Sequence, residues 1–172
     1  MKLNLVLIFV FVIQISAAKA QICKYIVNEK DPLTDDIIRT VKTRLTAPTP
    51  FYYFYYIRNG DDYKFKVELG DYGELDNIVP ADSELILRAG NGTIYKMKAI
   101  EAAAPETLKE YSTVLTKYEI TYQTTEEAMR AIEASGIMFI RISDLQNSFK
   151  DQQFPEAVVQ ISKEKAICLF KE

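Results

Sequence analysis

Histidine is absent from all 172 residues. That removes the commonest general base and the commonest metal ligand. Ser-His-Asp and Cys-His nucleophile systems are excluded, as are zinc sites of the ordinary Cys/His kind. Neither a Gly-x-x-x-x-Gly-Lys-Ser/Thr loop nor a Gly-x-Gly-x-x-Gly turn occurs, so the usual phosphate cradles are missing. Excess positive charge is lacking too: 21 basic residues stand against 24 acidic ones, a formal net charge of −3. With no basic patch to neutralise phosphates, nucleic acid is not expected as a partner. No catalytic residue, cofactor or metal ligand is assigned on these grounds.

Long apolar runs are scarce. Leu3 to Ile15 is apolar except for Asn4 and Gln14. It is shorter than the roughly 20 residues a hydrocarbon core requires. Lys2 and the α-amine precede it, and the small-residue stretch Ser16 to Ala20 follows, ending Ala18-Lys19-Ala20. This is the three-part pattern of a cleavable signal peptide. Residues 1–20 are therefore read as a signal, and residues 21–172 as one exported domain with no integral membrane segment once the signal is removed. Ile22 before Cys23 breaks the small-residue pattern of a lipid-attachment site. Without Lys2 and Lys19 the remainder carries 19 basic against 24 acidic residues, net −5.

Cysteine is also sparse. Cys23 and Cys168 stand at opposite ends of the exported part. An oxidising compartment joins paired thiols. A Cys23–Cys168 bond would close almost the whole domain, worth about 4–5 kcal/mol on the chain-entropy argument. Two separate buried thiols are the alternative.

What is present is mostly strand signal. Cys23 to Val27 reads as a first strand, and Asp31-Pro32 marks a turn. Ile37 to Leu45 fits both periods, and its β-branched content tips it to strand. Phe51 to Ile57 and Tyr63 to Leu69 flank Asn59-Gly60, a strong hairpin signal. Glu84 to Arg88 and Thr93 to Ile100 flank Gly90-Asn91-Gly92. Asn91-Gly92-Thr93 also matches a glycosylation acceptor but is read as a turn. The register of the second of these strands is open, because Ile94, Lys96, Lys98 and Ile100 share no one character. Glu106 to Lys109 reads as a single helical turn, and Tyr111 to Tyr122 as strand. Thr124 to Glu127 then opens a helix that Gly136 ends. Ile137 to Ile142 is a buried strand, Ser143 to Gln153 is polar, and Pro155 to Phe170 is helical. The expectation is an α+β fold: a mostly antiparallel sheet of about seven or eight strands, followed by a helix–strand–helix C-terminal part.

Two groups of side chains bear on function. Asp61, Asp62, Asp71, Glu74, Asp76, Asp82 and Glu84 crowd one stretch of turns. Their spacing fits neither a calcium loop nor a glycosidase pair, and turn acids are ordinarily solvated. Phe51-Tyr52-Tyr53-Phe54-Tyr55-Tyr56 is aromatic on both faces of a strand. The structural reading sandwiches it between the sheet and the helices. The functional reading makes Tyr52, Tyr53, Tyr55 and Tyr56 a ligand-binding platform that stacks on a carbohydrate or a partner protein.

The signal ending Ala18-Lys19-Ala20 before Gln21, then Cys23, Asp31-Pro32-Leu33-Thr34, Ile140-Arg141-Ile142 and Cys168, together resemble a loose group of small exported bacterial proteins of uncharacterised function. The resemblance implies no activity. It favours the disulfide and a periplasmic or secreted location. The function expected is that of a non-enzymatic binding or interaction module of the envelope or exterior. The alternatives are a carboxylate-dependent hydrolase and a structural envelope protein.

Overall fold

A computed structural model describes residues 23–45, 51–110, 113–145 and 151–171. The expected signal and the two-proline break at 46–50 lie outside the described residues. Ten strands pair in a single antiparallel sheet: β1 (Tyr25–Lys30), β2 (Ile37–Arg44), β3 (Phe51–Asn59), β4 (Asp62–Tyr72), β5 (Glu84–Ala89), β6 (Ile94–Ala99), β7 (Glu106–Glu110), β8 (Thr113–Thr124), β9 (Ile137–Ile142) and β10 (Asp151–Gln153). Their spatial order is β1-β2-β3-β4-β8-β6-β5-β9-β10, with β7 pairing β8 beside that path. Two described helices, α1 (Glu126–Ser135) and α2 (Glu156–Ile167), flank β9 in the chain. The α+β architecture and its helix–strand–helix end are those the sequence implies.

The strand count is higher than expected by two short elements. Glu106 to Glu110 is not a helical turn. It pairs antiparallel with Thr113 to Lys117, Glu106 opposite Lys117 and Leu108 opposite Leu115. Its composition favours no strand, and the free edge of β8 recruits it, so tertiary pairing overrides local preference. Asp151 to Gln153, within the polar stretch, pairs with Phe139 to Arg141 at the sheet edge.

The turns form where the sequence demands positive φ. Gly60 between β3 and β4 has φ +59°. Gly92 between β5 and β6 has φ +89°, and Asn91 Oδ1 accepts from the Thr93 amide at 3.0 Å. That side-chain bond mimics a backbone turn.

Alternation gives the sheet two unlike faces. One is the core. Val41, Tyr56, Phe65, Tyr122 and Ala99 stand opposite one another across five strands, and all are buried. Both helices pack on this face. Thr125 caps α1, its side chain accepting from the Ala128 amide at 3.2 Å. Ala128, Met129 and Ile132 point inward. From α2 come Val159, Ser162 and Ala166, and the Ser162 hydroxyl accepts from the Ile137 amide at 2.8 Å. Gly136 has φ +75°, and a Cβ there would lie 2.2 Å from the Val159 carbonyl oxygen, so α2 rests directly on the end of α1. Among the described residues no helix is long and apolar enough to cross a membrane.

Two segments far apart in the chain are joined. Cys23 and Cys168 form a disulfide, and the Tyr25 hydroxyl donates to the Cys168 carbonyl at 3.0 Å. Next to it, Phe170 stacks on Tyr63 at 5.9 Å between centroids, with the Arg130 guanidinium 3.4 Å from the Phe170 ring centre. Phe170 is thereby fixed to α1 and β4.

Candidate functional site

Among the described residues no helix packs on the second sheet face. The aromatic strand β3 divides its residues between the faces. Tyr52 and Tyr56 are fully buried in the core, where no ligand reaches them. Tyr53 and Tyr55 are half-buried on the open face. The strand is thus covered on one side only, and just two of the four tyrosines considered for binding meet solvent.

Those two rings are already occupied by the protein's own cations. Lys42 Nζ lies 3.9 Å from the Tyr53 centroid and 4.7 Å from that of Tyr55. Arg44 approaches Tyr53 to 5.5 Å and Lys66 approaches Tyr55 to 4.8 Å. Such contacts satisfy the electron-rich ring faces that a sugar or cationic partner would use. The rest of the patch is also closed on itself. Glu68 accepts from Lys42 at 3.1 Å and from the Tyr55 hydroxyl. Burial, then the bond to Glu68, pushes the Tyr55 phenol up.

Glu119 stands directly across from Glu68 and pairs with Lys117 at 2.7 Å and with Lys66. Like charges opposite one another destabilise a sheet, and these lysines offset that. The arrangement opposes hydrolysis by two carboxylates, which needs one of the pair held protonated. Hydrogen bonds from Lys117 and Lys66 hold the Glu119 carboxyl below its ordinary value instead.

The turn acids do not converge. Asp62 pairs with Lys64 at 2.9 Å and accepts from Gln123 at 2.8 Å; Asp82 faces Lys98 at 3.9 Å; Glu84 meets Lys96 at 3.2 Å. Among the described residues no group of three or more acids and cysteines could hold a metal ion.

A concavity does exist, on the same open face but at the other end of the sheet. Its volume is about 440 Å³, and it lies over β6, β5, β9 and β10. Two adjacent cross-strand rows build it. The first contributes Lys96, Ile86 and Arg141, which pairs with Asp151 outside the lining, and the second Ile94, Arg88, Phe139 and Gln153. Met138 completes the lining because of a bulge: Arg88 pairs with Phe139, but Ala89 pairs with Ile137. The extra residue re-aims a side chain that regular alternation would send to the core. Gly90 permits this bend to sit against α1, since a Cβ there would meet the Ser135 carbonyl oxygen at 2.1 Å.

The groove has an apolar lining and three cations of unequal availability. Arg141 is held by both Asp151 oxygens, at 2.5 and 3.0 Å, and Lys96 by Glu84 at 3.2 Å. Arg88 is exposed, and among the described residues it makes no hydrogen bond or ion pair. It stands between Ile94 and Phe139. Exposed Ile94 and half-buried Phe139 beside an uncommitted guanidinium can hold one anionic group and shelter a hydrocarbon next to it.

The sequence reading did not find this groove. A signal was present in the mixed character of Ile94, Lys96, Lys98 and Ile100, which left the register of β6 open. Met97 and Ala99 are in fact its core residues, so Ile94 is an apolar residue displayed on the solvent side. Comparison with known protein families, curated proteins and solved structures gives no match to this chain.

Proposed function

We propose that this protein is an exported, non-enzymatic binding domain whose ligand seats in the groove over β6, β5, β9 and β10. The observation that carries the reading is a 440 Å³ concavity with a partly apolar lining and an uncommitted arginine, on the sheet face that no described helix covers. Its size falls in the ordinary range for small-molecule sites. Export rests on the leading charged, apolar and small-residue segments, and the disulfide is of the kind that oxidising compartments maintain. Binding is favoured over catalysis because the carboxylates scatter over turns or are neutralised by lysines, as Glu119 is.

Amide chemical shifts of the labelled protein, titrated with anionic, neutral and cationic amphiphilic probes, test the site. Perturbations should centre on Ile86, Arg88, Ile94 and Phe139, and Ile94→Asp should weaken them. Ile94 is 59% exposed, so that change spares the core. Silence of the groove towards every probe, or shifts confined to Tyr53 and Tyr55, would overturn the assignment and return the protein to a structural role. For export, protein recovered outside the cytoplasm should begin at Gln21; an intact Met1 form in the cytosol would reject that half of the reading.

A further inference from the structure

Resting on that reading of the groove, we propose that its ligand is a single-chain carboxylate amphiphile, bound with its carboxylate on Arg88 and its hydrocarbon along Ile94, Ile86, Phe139 and Met138. The charge balance decides the head group. Arg141 and Lys96 are each paired with an acid of the protein, so the lining offers one uncommitted positive charge among the described residues. One carboxylate neutralises it. A dianionic phosphate would retain a negative charge beside Asp151 and Glu84. The guanidinium fork also matches the planar geometry of a carboxylate, with two parallel N–H donors.

The floor decides the tail. Its centre is the face of a sheet: β5 is paired by β6 and β9, and β9 by β5 and β10, while the edge strand β10 is only three residues long. β5 and β9, paired on both sides, offer no free edge to an extended peptide, which gains affinity by adding to one. A peptide laid here would bury amides against isoleucine and phenylalanine, with Gln153 as the uncharged polar side chain of the lining. Burying unpaired amides is costly, whereas a hydrocarbon chain has none to satisfy. The rows place apolar side chains on both sides of Arg88, so a chain leaving the head group meets apolar surface immediately.

The test is calorimetric titration of the intact, oxidised protein with saturated carboxylates from hexanoate to dodecanoate, below their micelle concentrations, beside the matched alcohols and alkyltrimethylammonium salts. Affinity for the acids should rise about fourfold per methylene until the groove is full. Acids should bind about tenfold tighter than alcohols of equal length. Arg88→Met keeps an apolar stem and should erase the tenfold preference while leaving alcohol binding unchanged. Ile94→Asp should weaken both classes. Equal binding of acid and alcohol, tighter binding of the ammonium series, or a preference that survives Arg88→Met would overturn the carboxylate assignment while leaving the groove as a site. Absence of binding by all three series would remove the site itself. Unchanged melting temperatures of both variants separate loss of binding from loss of fold.

Discussion

Two buried tyrosines, on β3 and β8, invite the same substitution with opposite expected results. The Tyr118 hydroxyl donates to Asn77, 2.9 Å from its carbonyl oxygen. The Tyr56 hydroxyl is buried and has no hydrogen-bond partner among the described residues. Both rings are fully inaccessible, so Tyr→Phe alters neither the cavity nor the ring contacts, such as that of Tyr56 with Phe65 at 5.6 Å. What changes is one oxygen. For Tyr118→Phe a made hydrogen bond is lost, costing about 1 kcal/mol. For Tyr56→Phe an oxygen stripped of water without compensation is removed, a gain of about 1–3 kcal/mol. The two variants should therefore differ by about 2–4 kcal/mol in urea-induced unfolding, read from midpoints at a common slope. In a domain of this size each kcal/mol also moves the melting temperature by about 2–4 °C. Losses of the same sign and size in both variants would refute the assignment of paired and unpaired hydroxyls.

Three further outcomes follow from the fold. Tyr56→Ala should cost about 3–5 kcal/mol as a core truncation, whereas Tyr53→Ala, on the open face, should cost about 1 kcal/mol through its lost contacts with Lys42 and Arg44; equal losses in denaturant melts would show that the strand is not one-sided. Reducing the Cys23–Cys168 bond should lower stability by about 2–5 kcal/mol, and the unreduced protein should weigh two hydrogens less than the reduced form by mass spectrometry; full thiol labelling without reductant would contradict the bond. Burial pushes the Tyr56 and Tyr122 phenols above their ordinary value. With the folded value above the unfolded one, their contribution is intact below about pH 10 and is lost at higher pH, by up to about 1.4 kcal/mol per phenol for each pH unit. A urea midpoint that holds constant from about pH 9 to pH 11 would dispose of that expectation.

Most of the fold could be read from residue order because local signals and tertiary structure agree there. Asn59-Gly60 between two β-rich runs gives the β3–β4 hairpin, and Tyr63, Phe65, Val67 and Leu69 alternate as one face must. Thr125 and Gly136 bound α1 for reasons internal to that segment. The elements that escaped have no such local cause. Glu106 to Glu110 is a strand because β8 offers an open edge, and Asp151 to Gln153 because β9 does. The groove is less legible still. Its lining comes from four strands whose order in space, β6-β5-β9-β10, no local pattern announces, and Met138 joins it through a one-residue bulge. The tyrosine run drew attention by composition, yet half of it fills the core and the other half lies beneath Lys42, Arg44 and Lys66.

The bond between Cys23 and Cys168 spans 145 residues and fastens the segment before β1 to the end of α2. Tension applied at Cys23 and Cys168 is then carried by the bond and does not unravel the strands and helices between them. Between the two cysteines the domain behaves as an inextensible link, able to unfold by heat or denaturant but not to be unravelled by traction on those two residues.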